Sequence, residues 1–152
     1  MNKNLNNKVL DDLNLNILKE LCENARVSNT EIGRRVGLSS PAVAERIQKL
    51  EEQGIITGST ITLDFDSIGL VIQAFITFKA ETIKHEAMVQ LFNSMPEIIE
   101  WYSITGNASM LLKVVVSSSK ELEAIVEKLF VYGETSTSLI LSCNRKKQIF
   151  RI

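Results

Sequence analysis

The sequence predicts an α+β chain, with an N-terminal winged helix-turn-helix followed by a C-terminal ferredoxin-like βαββαβ domain. Three observations lead there. Residues 28–54 spell two short capped helices joined by a glycine-containing turn. From residue 71 onward, stretches of period two alternate with stretches of helical period in the order strand, helix, strand, strand, helix, strand. A polar connector at 64–69 separates the two patterns, which places domains at 1–63 and 64–152.

Residues 1–9 are rich in Asn and Lys and read as a frayed terminus. A helix follows from about Asp12 to Glu23, with Leu13, Ile17, Leu18 and Leu21 on one face. The helix-turn-helix proper spans about 28–53. Ser28 with Glu31 three residues later is a capping-box signature. Ile32 and Val36 give the first helix an apolar face, and Gly37 stops it. Ser39 and Ser40 offer hydroxyl caps to the second helix, and Pro41 sits where its missing N–H costs nothing. Val43, Ile47 and Leu50 recur at i, i+4 and i+7 and must face the other helices. Gly54 ends the helix. Ile55–Thr57 and Thr60–Leu63, split by Gly58-Ser59, then read as a two-stranded wing.

The polar face of the second helix decides whether the motif meets DNA. Small residues at its start let the backbone approach a duplex, and long donors further on reach base edges or phosphates. Ser39, Ser40, Ala42, Glu45 and Arg46 are the major-groove candidates; Arg34, Arg35 and Lys49 are the phosphate candidates. Residues 26–49 hold five basic and two acidic residues, a modest surplus. The plainer alternative is a helical hairpin with a solvated charged face.

Two stretches carry a family resemblance: LDDLNLNIL at 10–18, and NARVSNTEIGRRVGLSSPAVAERIQKLEEQGIITGSTITLD at 24–64. With the pattern that follows them, nearly the whole chain resembles the Lrp/AsnC, or feast/famine, transcriptional regulators. The resemblance implies binding of double-stranded DNA and a dimeric unit that builds tetramers or octamers. It also implies a second domain that assembles the protein and senses amino acids.

Within that second domain, Val71–Lys79, Ile98–Thr105, Ser109–Ser117 and Thr135–Cys143 read as strands, the last extending toward Phe150. Residues 83–95 form a helix with Ala87, Val89, Leu91, Phe92 and Met95 available for packing, stopped near Pro96. Ser118 with Glu121 opens another helix, to about Val131. Gly106-Asn107-Ala108 marks a hairpin. Ile72, Ala74, Ile76 and Phe78 make one apolar face, as do Met110, Leu112, Val114 and Val116; these should lie under the helices. The reverse face carries Val71, Phe75, Leu111 and Val115. A sheet covered on one side only should alternate cleanly with polar residues, so this face predicts a second layer, most simply another subunit's sheet. Scattered surface apolar residues are the alternative.

Charge is uneven along the chain. Residues 1–49 hold eight basic and six acidic residues, 50–144 hold five and twelve, and 145–152 hold four basic and none acidic. Positive potential therefore gathers at the helix-turn-helix and the C-terminus. Nothing in the sequence suggests catalysis, a metal or a cofactor. His85 is the single histidine, Cys22 and Cys143 stand apart, and no phosphate-binding glycine loop occurs. Cys22 falls in a helical pattern as a small core residue. Trp101 and Tyr102 are adjacent and point to opposite sheet faces, without an RNA-binding signature. No apolar run has transmembrane length, and a cytoplasmic protein is expected.

The resemblance also locates an effector. Amino-acid-responsive members carry a Gly-Asp-x-Asp-like motif in the hairpin between strands two and three. Here the matching residues are Gly106, Asn107, Ala108 and Ser109. Both acidic positions are uncharged, so a ligand's ammonium group loses its charge-assisted partner. Backbone carbonyls of the hairpin, or Thr135, Thr137 and Ser138 on the last strand, are the substitute acceptors. Weak or no response to common amino acids is expected. The rival reading of the whole chain is a ferredoxin-like small-molecule-binding or enzymatic module whose helical domain docks a protein.

Overall fold

A computed structural model describes residues 10–143. The expected frayed terminus, the basic tail at 145–152 and the extension of the last strand to Phe150 lie outside the described residues. The described residues divide between Thr62 and Leu63 into two compact units.

The first unit contains α1 (Asp12–Glu23), α2 (Asn29–Val36) and α3 (Ser40–Glu52). Each start is capped as a helix needs, because its first N–H groups have no partner within it. Asp11, Ser28 and Ser39 accept from the amides of Asn14, Glu31 and Ala42. Gly37 ends α2 with φ 75°, a left-handed conformation that suits glycine. Ile17, Ile32 and Val43, one from each helix, form the fully buried centre, with Leu21, Val27, Val36, Leu38 and Ile47 packed around it. Cys22, expected in this core, is exposed instead. Ile17, Leu18 and Leu21 already fill the inward stripe of α1, which leaves Cys22 one position off it.

The two wing strands expected at 55–57 and 60–63 do not form; these residues are in no ladder. Ile61 is 65% and Leu63 46% exposed. A two-stranded ribbon is marginal unless one face packs on something, and these two side chains lie largely open.

The second unit contains a 3₁₀ turn at Asp66–Ile68, then β1 (Ile72–Ala80), α4 (His85–Asn93), β2 (Ile98–Ser103), β3 (Met110–Val116), α5 (Ser119–Phe130) and β4 (Gly133–Leu139). The sheet order is β2-β3-β1-β4, antiparallel throughout, which is the ferredoxin-like arrangement expected. Ile76 lies opposite Leu112, and Phe78 opposite Met110. These residues share a core with Met88 and Phe92 of α4 and Ile125 and Leu129 of α5. On α4 Met88 is buried beside the expected Phe92, while Ala87, expected to pack, is exposed. Trp101 joins this core side, its ring 6.3 Å from that of Phe92. Tyr102 turns to the other face and donates to Glu100 Oε2 at 2.6 Å.

The last strand is shifted from the expected 135–143. It starts at Gly133, where a β-carbon would meet the Lys79 carbonyl oxygen at 2.1 Å. It stops at Leu139 opposite Ala74, after which Ile140 N–H makes one more bond, to the Gln73 carbonyl at 2.8 Å.

Candidate functional site

The α2–α3 corner holds the first candidate site, and glycine makes the corner close-packed. A β-carbon on Gly33 would lie 2.4 Å from the Leu38 carbonyl oxygen. Leu38 N–H donates back to the Gly33 carbonyl at 2.9 Å. Sequence reading singled out Gly37 and passed over Gly33, because an isolated glycine inside a helical pattern carries no visible reason.

The basic residues of this unit are tied to acidic ones. Glu31 accepts from Arg34 at 3.0 and 2.8 Å and from Arg35 at 2.8 Å. Arg35 also reaches Glu20 at 2.5 Å, which fastens α2 to α1. The hydrogen bonds from Arg34 and Arg35 hold the Glu31 carboxyl well below its ordinary 4.5, at about 2. The same contacts push both guanidinium groups up. Glu31 therefore does not reach back to Ser28; only the serine half of the expected capping box forms, at 3.2 Å. Lys49 pairs with Glu45 at 2.6 Å, one turn away on α3, and that contact lowers the Glu45 carboxyl.

Arg46 departs from expectation. Its Nη1 donates to both carboxylate oxygens of Asp11 at 3.0 and 2.7 Å and to Asn14 Oδ1 at 2.9 Å. The side chain is turned onto the start of α1. The backbone N–H of Asn14 and the Arg46 guanidinium, in that order, lower the Asp11 carboxyl. Ala42, Glu45, Arg46 and Lys49 line a shallow groove together with Asp11 and Asn14. Pro41, Ala44, Glu45, Gln48, Lys49 and Glu52 of α3 are exposed, while Ser40, Ala42 and Arg46 are half-buried. Pro41, Ala44 and Gln48 were missed in the sequence. Only the position of α1 shows which flank of the polar face is covered.

The second candidate site is a cavity on the second unit, between the β2–β3 loop and β4. Thr77, Lys79, Ile104, Thr105, Asn107, Ala108, Phe130, Glu134, Thr135 and Ser136 line it. Of the residues expected there, the structure brings Asn107, Ala108 and Thr135 together. Gly106, Ser109, Thr137 and Ser138 are not among the lining residues. Ser109 is engaged elsewhere: its hydroxyl donates to the Phe78 carbonyl at 3.3 Å and accepts from Ala80 N–H at 3.1 Å. The cavity does contain a carboxylate, Glu134, which pairs with Lys79 at 3.3 Å. Among the described residues no cluster of His, Cys, Asp and Glu is suited to a metal. No described helix is long and apolar enough to cross a membrane.

Comparison with known proteins assigns both units. Residues 10–57 match a winged helix-turn-helix DNA-binding family, and residues 73–148 match the Lrp/AsnC ligand-binding domain. The Bacillus subtilis HTH-type transcriptional regulator YezC is 37% identical over 133 residues, covering 88% of this chain and 94% of that one. The solved structure of Bacillus subtilis LrpC superimposes with a TM-score of 0.85 at 33% identity, covering 91% of this chain and 99% of the other. A Neisseria meningitidis transcriptional regulator, solved in complex with L-methionine, gives a TM-score of 0.85 at 25% identity, covering 93% of this chain and 96% of the other. With a helix-turn-helix of a DNA-binding family and a sheet domain of the Lrp/AsnC ligand-binding type on one polypeptide, the chain belongs to the Lrp/AsnC family of transcriptional regulators.

Proposed function

We propose that this regulator binds duplex DNA sequence-selectively in the cytoplasm, as a two-fold dimer or a higher even assembly such as a tetramer or octamer. The observation that carries the reading is the helix-turn-helix geometry. Three capped helices share one core, a glycine allows the closest backbone approach, and small residues at the start of α3 leave room for a duplex. Ser39, Ser40, Ala42 and Glu45 approach the major groove, and Arg34, Arg35 and Lys49 approach phosphates. The Arg34–Glu31 and Lys49–Glu45 ion pairs lie at the surface and are cheap to exchange for a phosphate.

Residues 64–152 form the assembling and effector domain in this reading, with the cavity at Asn107, Ala108 and Thr135 as the ligand site. The hairpin lacks both acids, the Ser109 hydroxyl is used by β1, and the carboxylate of Glu134 already has a cation. A relative solved in complex with L-methionine supports an amino-acid-type ligand; here an amino acid finds weaker ammonium acceptors.

A gel-shift titration against genomic fragments, including the chain's own upstream region, tests the DNA reading. Selective retardation at submicromolar protein and low salt is expected. No binding below micromolar would overturn it.

A further inference from the structure

Arg46 adds a polar tie between α3 and α1 to the apolar face that Val43 and Leu50 already bury. Asp11 is anchored, because its carboxylate caps α1 by accepting Asn14 N–H at 2.7 Å. Asn14 is 7% exposed. The Arg46 guanidinium, bound to both, pins one flank of α3 against α1 and leaves exposed a stripe about 140° around the helix. Pro41, Ala44, Glu45, Gln48 and Glu52 recur there at i, i+3, i+4, i+7 and i+11, all exposed.

The hydrogen bonds of the free protein separate the long side chains of α3. Gln48 Nε2 donates to Glu52 Oε1 at 2.8 Å, an exposed i, i+4 contact of a weak kind. A base edge displaces it at small cost. Arg46 shares three acceptors, and removing it would take the cation from Asp11 and one donor from the oxygen of the buried Asn14 amide.

Resting on the DNA-binding reading above, we propose that Gln48, flanked by Ala44 and Glu45, is the base-reading residue of α3, and that Arg46 is a positioning residue. The chemistry names the base: a glutamine amide donates and accepts at once, and pairs bidentately with the N6 and N7 edge of adenine. The Ala44 methyl meets a thymine methyl, and the Glu45 carboxylate accepts from cytosine N4.

The test is selection of duplexes from a random pool by the intact protein, with base preference read at every position and the melting temperature measured in parallel. Gln48→Ala should flatten an adenine preference of about ten- to a hundredfold at one position per half-site and leave melting unchanged. Gln48→Lys should move that preference to guanine. Arg46→Gln should lower the melting temperature and leave the ranking of bases intact. Asp11→Asn keeps a cap on α1 while loosening Arg46, and should do the same should Arg46→Gln fail to fold. An unchanged ranking in Gln48→Ala, or loss of one base preference in Asp11→Asn without a change in melting, overturns the assignment alone. An unaltered protein that selects no sequence overturns both the assignment and the DNA-binding reading.

Discussion

Gly33 is the residue on which the first unit depends most sharply. Gly33→Ala places a β-carbon 2.4 Å from a backbone oxygen that no rotamer change can move. Alanine gains a little helix propensity, but overpacking costs about 1–3 kcal/mol. The expected result is an earlier melt with loss of amide-exchange protection in α2 and α3. Gly37→Ala meets open space but a φ of 75° and should cost about 1–2 kcal/mol for that alone. Glu31 provides a second residue-scale prediction. Its folded carboxyl sits at about 2 against an ordinary 4.5, so its contribution is complete above about 4.5 and disappears as pH falls through about 2. Glu31→Gln should flatten the acid limb of the stability profile in that window, and salt should shrink the difference because the pairs are exposed. Gly37, Ser28 and Ser39 were legible in the sequence because caps and stops are local signals. Gly33 and the Arg46–Asp11 pair were not, since each depends on a segment brought near only by folding.

At the scale of elements, every helix and every ladder strand of the second unit was legible from period and capping, within two to four residues at its ends. The wing was misread for a physical reason: alternating Ile and Thr supply strand propensity, but a ribbon also needs a face to bury, which local sequence does not contain. The cavity beside β4 was half legible. Asn107, Ala108 and Thr135 line it, whereas Thr137 lies two residues further along β4 than Thr135 and is not among the lining residues, and the Ser109 hydroxyl is bound to β1. A ligand at one hundred times its dissociation constant adds about 2.7 kcal/mol of stability. In a thermal-shift screen of the twenty amino acids at millimolar concentration, shifts should stay below a few degrees. A larger shift with any one of them would refute weak binding, and its loss in Glu134→Gln would show that this carboxylate replaces the missing hairpin acids.

At the scale of the whole molecule, the reverse face of the sheet bears on assembly. Phe75 is 37% and Tyr102 48% exposed, Val115 is buried, and Leu111 lies between them on adjacent strands. In their midst the Lys113 ammonium, its side chain 8% accessible, reaches Glu100 at 3.4 Å. A face that is apolar around a satisfied ion pair suits a covering layer better than open water, and a second copy supplies the same surface in reverse. A specific interface needs roughly 1,200–2,000 Å², more than one side chain offers, so the four strands would act together. Light scattering of the intact chain should give an even multiple of 17.0 kDa. Phe75→Glu leaves the single sheet tolerable, because residue 75 is exposed and lies opposite Lys113. In a dimer the same change buries a charge in each copy and removes about 1.5–3 kcal/mol of apolar burial per subunit. The dissociation constant should then rise by roughly two to four powers of ten, and selective DNA binding should weaken with it, because two half-sites would no longer be held by one particle. A monomeric mass for the unaltered chain at micromolar concentration would overturn the covered-face argument, and an unchanged mass for Phe75→Glu would move the interface to another part of the molecule.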